Sequence, residues 1–193
     1  MRYSFLTLSL WLVFAINLSS CASADDKPSE EVFIDDMVHV MEHMKVYMLE
    51  VYDVPADSNM DFRPSEEVMS FREHAAHVLS NMYMQNECFV KRDTTTTIDW
   101  VLEDVAGLMA TDDRAKLREK IAGQFDAIVL DLKGIKGKQD WNKTRVLPQF
   151  DGKPVKDLMT IVMMMRDHIT HHRAQMIVYL RLMGYEPPPY RPF

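Results

Sequence analysis

The clearest helical pattern in this 193-residue chain lies in residues 158–183, which read LMTIVMMMRDHITHHRAQMIVYLRLM. One set of residues recurs there every three or four positions, which is the spacing of side chains on a single face of an α-helix. This set comprises Leu158, Val162, Met165, Ile169, His172, Met176, Tyr179 and Met183. The pattern predicts a long helix from about Pro154 to Met183. Gly184 stands where a helix cap is expected, and the prolines at 187–189 prevent continuation.

Three further amphipathic patterns precede this helix. They run from near Ser29 to Val51, from about Ser65 as N-cap to Phe89, and from Thr111 as cap through Asp112 to Gly134. No segment alternates like a β-strand over a useful length. Four amphipathic helices in about 160 residues predict an all-α protein, a four-helix bundle.

Composition narrows the class of protein. The formal net charge is −7, which argues against a basic surface for nucleic acid. Hydrophobic residues make up 47% of the chain, enough for a packed core. Cys21 and Cys88 are the only cysteines, so a disulfide scaffold is excluded. We therefore expect one globular domain at residues 31–193, with no nucleic-acid partner.

The N-terminus has the pattern of an export signal. Arg2 precedes the apolar run FLTLSLWLVFAI at residues 5–16, and no acidic residue occurs before Asp25. A permanent membrane-spanning helix needs roughly 20 apolar residues, and this run is shorter. The pattern therefore predicts an exported protein.

Two cleavage sites compete at the end of this signal. Leu18–Cys21 resembles a bacterial lipobox, which predicts a lipoprotein-type signal peptide at residues 1–20 and lipidation of Cys21. The alternative is cleavage after Ala24, at a small-x-small pattern. In the first case residues 21–30 are a tether, and acyl chains on Cys21 anchor the bundle to a membrane. In the second case the protein is free in the periplasm or outside the cell.

All seven histidines fall on the predicted helices. Two pairs have the i, i+4 spacing that lets both imidazoles reach one metal ion, namely His39 with His43 and His168 with His172. His39 and His43 lie away from the apolar face and are interpreted as solvated surface residues. His168 and His172 lie on the face that points to the core, where histidines need partners or a metal ion.

A third ligand should come from another helix, as in other metal sites of helix bundles. His74 and His77 are the candidates, and both border the apolar face of the second helix. The helical wheel does not choose between them. The alternative interpretation is a set of core histidines that hydrogen-bond to their neighbours.

Three segments resemble the DinB/YfiT-like family of metal-binding four-helix bundles. Asp61–Pro64 followed by Met69–His77 is similar to the family's entry into helix 2. Asp167–Gln175, DHITHHRAQ, is similar to its H-x-x-H-H-R-G-Q motif. Tyr179–Pro188 is similar to its closing Y-L-R-x-x-G and prolines. The resemblance covers nearly all of residues 31–193 and implies the DinB/YfiT-like bundle fold.

The resemblance also implies a ligand set. Carried over, the three metal histidines of the family are His77, His168 and His172, with a fourth position open to water. The bound ion is expected to be a single divalent metal, with zinc or nickel favoured and iron or manganese as alternatives. His74 stands where the family usually has an apolar residue, and Ala174 replaces a glycine. His74 is therefore expected either to line the pocket or to contact one of the metal-binding histidines on the side that faces away from the ion.

Three imidazoles with one open position are typical of a catalytic site. The resemblance implies a metal-dependent hydrolase or a thiol-dependent S-transferase acting on an unknown small molecule. Export favours hydrolysis, because low-molecular-weight thiols belong to the reducing cytosol. Glu73 and Asp167 adjoin the predicted ligands and are candidates to orient their imidazoles.

The competing function is a non-catalytic module, tethered to the membrane, that binds metal or docks a partner. For either function the sequence leaves a monomer and a homodimer as alternatives. A fourth protein ligand such as His74 would close the site and favour that interpretation. Cys88 lies eleven residues after His77, which is three helical turns. It is therefore too far away to share the ion and is expected to be buried.

Overall fold

The computed structural model describes residues 30–91, 103, 106–110, 112–137, 145–146, 154–155 and 157–192. The predicted signal peptide at 1–20, the lipidation site Cys21, the rest of the tether up to residue 29 and the cap Thr111 lie outside the described residues. Within them, no helix is both long enough and apolar enough to cross a membrane.

Four long α-helices form the described part of the chain. They are α1 (Glu30–Asp53), α2 (Phe71–Gln85), α3 (Arg114–Ile135) and α4 (Leu158–Leu182). A 3₁₀ turn at Asp57–Asn59 follows α1, and a π-helical turn at Asn86–Val90 follows α2. Two short strands, β1 (Arg145–Val146) and β2 (Pro154–Val155), lie between α3 and α4 in the chain. The strands pair with each other in antiparallel register. The all-α four-helix bundle predicted from the sequence is confirmed.

The helices do not pack in chain order. α1 packs against α3 and α4, and α2 packs against α4 and α3. Helices that are consecutive in the chain are therefore diagonally opposite in the bundle: α1 lies opposite α2, and α3 lies opposite α4. This arrangement makes α2 and α4 neighbours, and these are the helices that carry His77 and the His168–His172 pair.

Methionine fills much of the core. Met41, Met44 and Met48 of α1 are fully buried, as is Met165 of α4. The thioether side chain is unbranched and polarizable, so it adapts to the gaps between larger groups such as Phe125. The core residues lie on the faces that the sequence periodicity predicted.

The start of the second helix differs from the sequence prediction, which placed its N-cap at Ser65. Ser70 is the cap instead, because it forms a capping box with Glu73. The Ser70 hydroxyl accepts a hydrogen bond from the Glu73 amide at 3.2 Å, and the Glu73 carboxylate accepts one from the Ser70 amide at 2.7 Å. Two amides that the helix start leaves unpaired are satisfied at once. The α-helix also ends at Gln85, and the π-helical turn carries the chain on to Val90.

The fourth helix also starts later than predicted. Pro154 belongs to strand β2, and α4 begins at Leu158 with Asp157 as its cap. The Asp157 carboxylate accepts a hydrogen bond from the Thr160 amide at 2.7 Å. Similarly, Asp113 rather than Thr111 caps α3.

The end of α4 matches the prediction at Gly184. This residue has a φ of +83°, in the left-handed region that glycine tolerates best. The amide of Tyr185 donates to the carbonyl of Leu180 at 2.8 Å, and the amide of Gly184 donates to that of Arg181 at 3.0 Å. These two bonds form a Schellman motif, which ends the helix.

The capping box makes a testable contribution to the stability of α2. We expect Ser70→Ala to lower the free energy of unfolding by about 1 kcal/mol, since the Glu73 amide loses its acceptor. Urea denaturation of the metal-free protein measures this change. Ser58→Ala, at an exposed serine in the 3₁₀ turn, is the control and should leave the midpoint within experimental error. Equal midpoints for the two variants would show that the capping box does not stabilise α2.

Candidate metal centre

Three histidine side chains converge where α2 lies beside α4. Each of His77, His168 and His172 offers one ring nitrogen, and these nitrogens lie within 4.8 Å of one another. The ring centroids of His77 are 5.0 Å from His168 and 4.7 Å from His172. Among the described residues this is the one cluster of three histidine, cysteine or acidic side chains suited to hold an ion.

The helices determine this convergence. His168 and His172 are four residues apart, so their rings lie one above the other on α4. His172 occupies the buried stripe between Ile169 and Met176 and is 8% exposed. His77, which is half-buried, reaches the same point from α2, whose buried apolar side chains pack into the core. The structure thus brings together the three histidines for which the resemblance implied a ligand role.

The spacing of the nitrogens fits a metal ion. The Nε2 atoms of His168 and His172 are 3.2 Å apart. Two nitrogens at 2.0–2.1 Å from one tetrahedral ion would lie about 3.3 Å apart. Neutral imidazole is also a common ligand type for zinc, nickel and iron. The donor set therefore fits a divalent transition metal.

The electrostatics of the cluster keep these ligands neutral. Burial lowers the pKa of His168 to about 4 and that of His172 to about 3, and neighbouring imidazoles add to both shifts. Burial also lowers the pKa of His77. At pH 7 all three rings are therefore neutral, and each has one unprotonated nitrogen that could bind a metal ion.

His74 lies behind His172 and does not join the cluster. Its Nδ1 is 2.9 Å from Nδ1 of His172, whereas Nε2 of His172 faces His168. Its own Nε2 is 3.3 Å from the hydroxyl of Tyr179. His74 is 4% exposed, and burial lowers its pKa to about 4. His74 therefore contacts the predicted ligand His172 through the ring nitrogen that faces away from His168, and it is not part of the three-histidine cluster.

Sequence reasoning did not assign Tyr179 to the site. It was interpreted as one member of the apolar stripe of the fourth helix. A signal was nevertheless present, because Tyr179 follows His172 by seven residues and so lies two turns along the same face. Its ring contacts His74 edge-on at a centroid distance of 5.2 Å.

The two carboxylates suggested as orienting groups make other contacts. Glu73 binds the Ser70 amide and the Arg63 guanidinium, the latter at 3.0 Å, and so serves the start of α2. Asp167 pairs with Arg166 at 2.7 Å, and its side chain is 67% exposed. Neither of these contacts reaches an imidazole of the cluster.

The remaining histidines lie outside the cluster, and so does Cys88. His171 is exposed and hydrogen-bonds to Gln175. His39 and His43 are exposed on α1, as expected for surface residues, and their ring centroids lie 4.3 Å apart with the ring planes tilted by 57°. Cys88 is fully buried, as predicted.

Together, the fold and the cluster define a four-helix bundle with three converging histidines. Comparison with known proteins shows which family and which solved structures this chain is similar to. The DinB family model matches residues 138–192, which include the DHITHHRAQ segment of α4. No curated protein sequence shows a significant match.

Solved structures with similar folds are DinB-like proteins. One from Bacillus cereus ATCC 10987 is 16% identical, with a TM-score of 0.64 over 82% of this chain and 97% of that one. YjoA from Bacillus subtilis is 17% identical, with a TM-score of 0.60 over 80% and 96%. YfiT from Bacillus subtilis is 16% identical, with a TM-score of 0.60 over 79% and 89%, and is described as a probable metal-dependent hydrolase with an unusual four-helix bundle topology. The DinB/YfiT-like resemblance inferred from the sequence is confirmed, and the chain has the DinB-like fold.

Proposed function

We propose that this chain is an exported metalloprotein that binds one divalent ion through His77, His168 and His172 and hydrolyses a small molecule. One observation carries the proposal: three neutral imidazole nitrogens converge from two helices. His74, which is in hydrogen-bond contact with His172, is directed to the opposite side of the His172 ring. Among the described residues no fourth histidine, cysteine or acidic side chain joins the cluster, which supports a fourth coordination position open to a non-protein ligand, as in catalytic sites.

When bound, a divalent ion would supply Lewis acidity and a nucleophile derived from water at neutral pH. The protein's own part is to hold the ion in fixed geometry. His168 and His172 provide adjacent nitrogens from one rigid helix, and His77 provides the third from its neighbour. The description of YfiT as a probable metal-dependent hydrolase supports the same chemistry for this chain.

The proposed location follows from the N-terminal pattern. A signal peptide at residues 1–20 would export the chain, and acyl chains on Cys21 would hold it at a membrane surface. Low-molecular-weight thiols are reductants of the cytosol, so an exported enzyme of this kind is better served by water as co-substrate. This reasoning favours hydrolysis over thiol transfer.

Metal content and hydrolytic activity test the proposal together. We expect the purified full-length protein to carry one equivalent of zinc or nickel by elemental analysis. The loaded protein should hydrolyse members of a panel of chromogenic esters, amides and phosphoesters. The chelated protein and the His77→Ala variant should be inactive, whereas His39→Ala, which replaces an exposed histidine on α1, should match the wild type.

The outcomes separate the competing functions. Failure to bind metal after reconstitution would refute the metal site. Conjugation of a thiol to an electrophile, without hydrolysis, would identify a transferase instead. Metal binding with neither hydrolysis of the chromogenic substrates nor conjugation of a thiol to an electrophile would support a binding module and contradict the enzyme proposal.

A further inference from the structure

We propose that His74 and Tyr179 form a hydrogen-bond relay that fixes the ring of His172 in the tautomer needed to bind metal. The two residues are positioning residues, since they act on the ion through His172. The inference rests on the proposed function, because it takes His172 as a ligand.

The relay follows from the proton positions that the contacts allow. A metal ion shared with His168 needs the lone pair on Nε2 of His172, so the proton of His172 must sit on Nδ1. That N–H points at Nδ1 of His74, 2.9 Å away, which must then accept it. The proton of His74 therefore sits on its Nε2 and is donated to the Tyr179 hydroxyl at 3.3 Å.

The opposite direction of donation is incompatible with metal binding. If His74 donated from Nδ1, the proton of His172 would move to Nε2. It would then lie between His168 and His172, where their Nε2 atoms are 3.2 Å apart. Only donation from His172 toward Tyr179 leaves the ligand nitrogen free.

His168 offers an internal contrast. Its Nδ1 is buried and has no hydrogen-bond partner among the described side chains and backbone. His172 has such a partner, and that partner is itself 4% exposed and held by a second hydrogen bond. Of the two α4 ligands, His172 is thus the one whose orientation and tautomer are set before an ion arrives.

Matched variants at position 74 test the relay by metal affinity. His74→Asn keeps an acceptor near the position of Nδ1, whereas His74→Leu removes it, and both lose the imidazole. We expect His74→Leu to weaken cobalt or zinc binding by about 10- to 100-fold in competition with a chelator, the range seen when a metal-orienting partner is removed. His74→Asn should stay much closer to the wild type, and Tyr179→Phe should fall between them. His39→Leu, which replaces an exposed histidine on α1, should bind like the wild type.

A second measurement does not depend on metal. Two-bond ¹H–¹⁵N spectra of the imidazoles report which ring nitrogen carries the proton. In the metal-free protein we expect His172 to be the Nδ1–H tautomer, and His74→Leu should convert part of it to Nε2–H. The tautomer of His172 therefore shows whether the relay exists even if the wild type binds no metal. Failure of the wild type to bind metal would refute the proposed function but not the hydrogen-bond relay.

Three results would overturn the relay. Metal-free wild type could show His172 as Nε2–H. The Leu and Asn variants could bind metal equally well, which would make His74 a packing residue. The wild type could bind two equivalents, of which His74→Leu loses one, which would make His74 a ligand of a second ion.

Discussion

His172→Ala is expected to weaken the binding of a divalent ion by about 100-fold or more. Binding free energies of roughly 10–16 kcal/mol for zinc held by four ligands correspond to about 2.5–4 kcal/mol for each ligand. His172 is the most buried of the three clustered histidines, and its loss also leaves Nδ1 of His74 without its partner. Competition titration with a chelator measures the affinity, and circular dichroism checks that the helices remain.

Thermal unfolding provides an independent measure of the same loss. An ion present at 1,000 times its Kd stabilises the folded state by about 4 kcal/mol, which should raise the Tm of a bundle of this size by about 10 °C. We expect this shift in the wild type and in His43→Ala, a surface control on α1, and no comparable shift in His172→Ala. A full shift in His172→Ala would mean that the ion binds elsewhere.

The bound ion is expected to resist acidification. Three exposed histidines with pKa values near 6.5 would each cost about tenfold in affinity at pH 5.5, or roughly 1000-fold together. Burial holds the pKa of His168 at about 4 and that of His172 at about 3, and it lowers that of His77 as well. Because protons compete with the ion at His168 and His172 only below those values, these two ligands should cost little affinity down to about pH 5. The pKa of His77 is also lowered from 6.5, so the loss between pH 7 and pH 5.5 should be less than about tenfold in total.

Metal affinity measured between pH 7 and pH 4 tests this prediction. A hexahistidine peptide, whose imidazoles are exposed, is the reference and should lose its metal near pH 6. Loss of metal from the protein at the same pH would show that the ligand histidines are accessible to water and ionise normally.

Helix existence was predictable from the sequence, but helix starts were less so. The prediction chose Ser65 as the cap of the second helix because acidic residues follow it. The residue three positions later is Val68, whereas Ser70 has Glu73 at that distance. The S-x-x-E signature was therefore present, and it outweighs general acidity in the first turn. The start of α4 was harder to predict, because Pro154 pairs with Val146, eight residues upstream, and so belongs to a strand.

The candidate site was predictable along each helix but not between helices. The i, i+4 spacing indicated that His168 and His172 share a face. His74 and His77 are about 60° apart on the wheel, so the rotation of α2 against α4 decides which one joins them. Single-sequence periodicity does not encode that rotation, and the family resemblance supplied the choice of His77. The contacts of His74 with His172 and Tyr179 depend on the same rotation.

The packing of α2 against α4, rather than against a helix next to it in the chain, has a consequence for how the proposed ion would be acquired. His77 and His172 meet only after α2 has paired with α4, the last helix to be synthesised. Loop closure over such a separation is slow and requires nearly the whole chain to be present. No emerging fragment can therefore capture the metal through all three histidines. If the chain binds the proposed ion and is exported unfolded, it would take that ion from the compartment in which folding finishes. The metal supply on that side of the membrane would then determine which ion it binds.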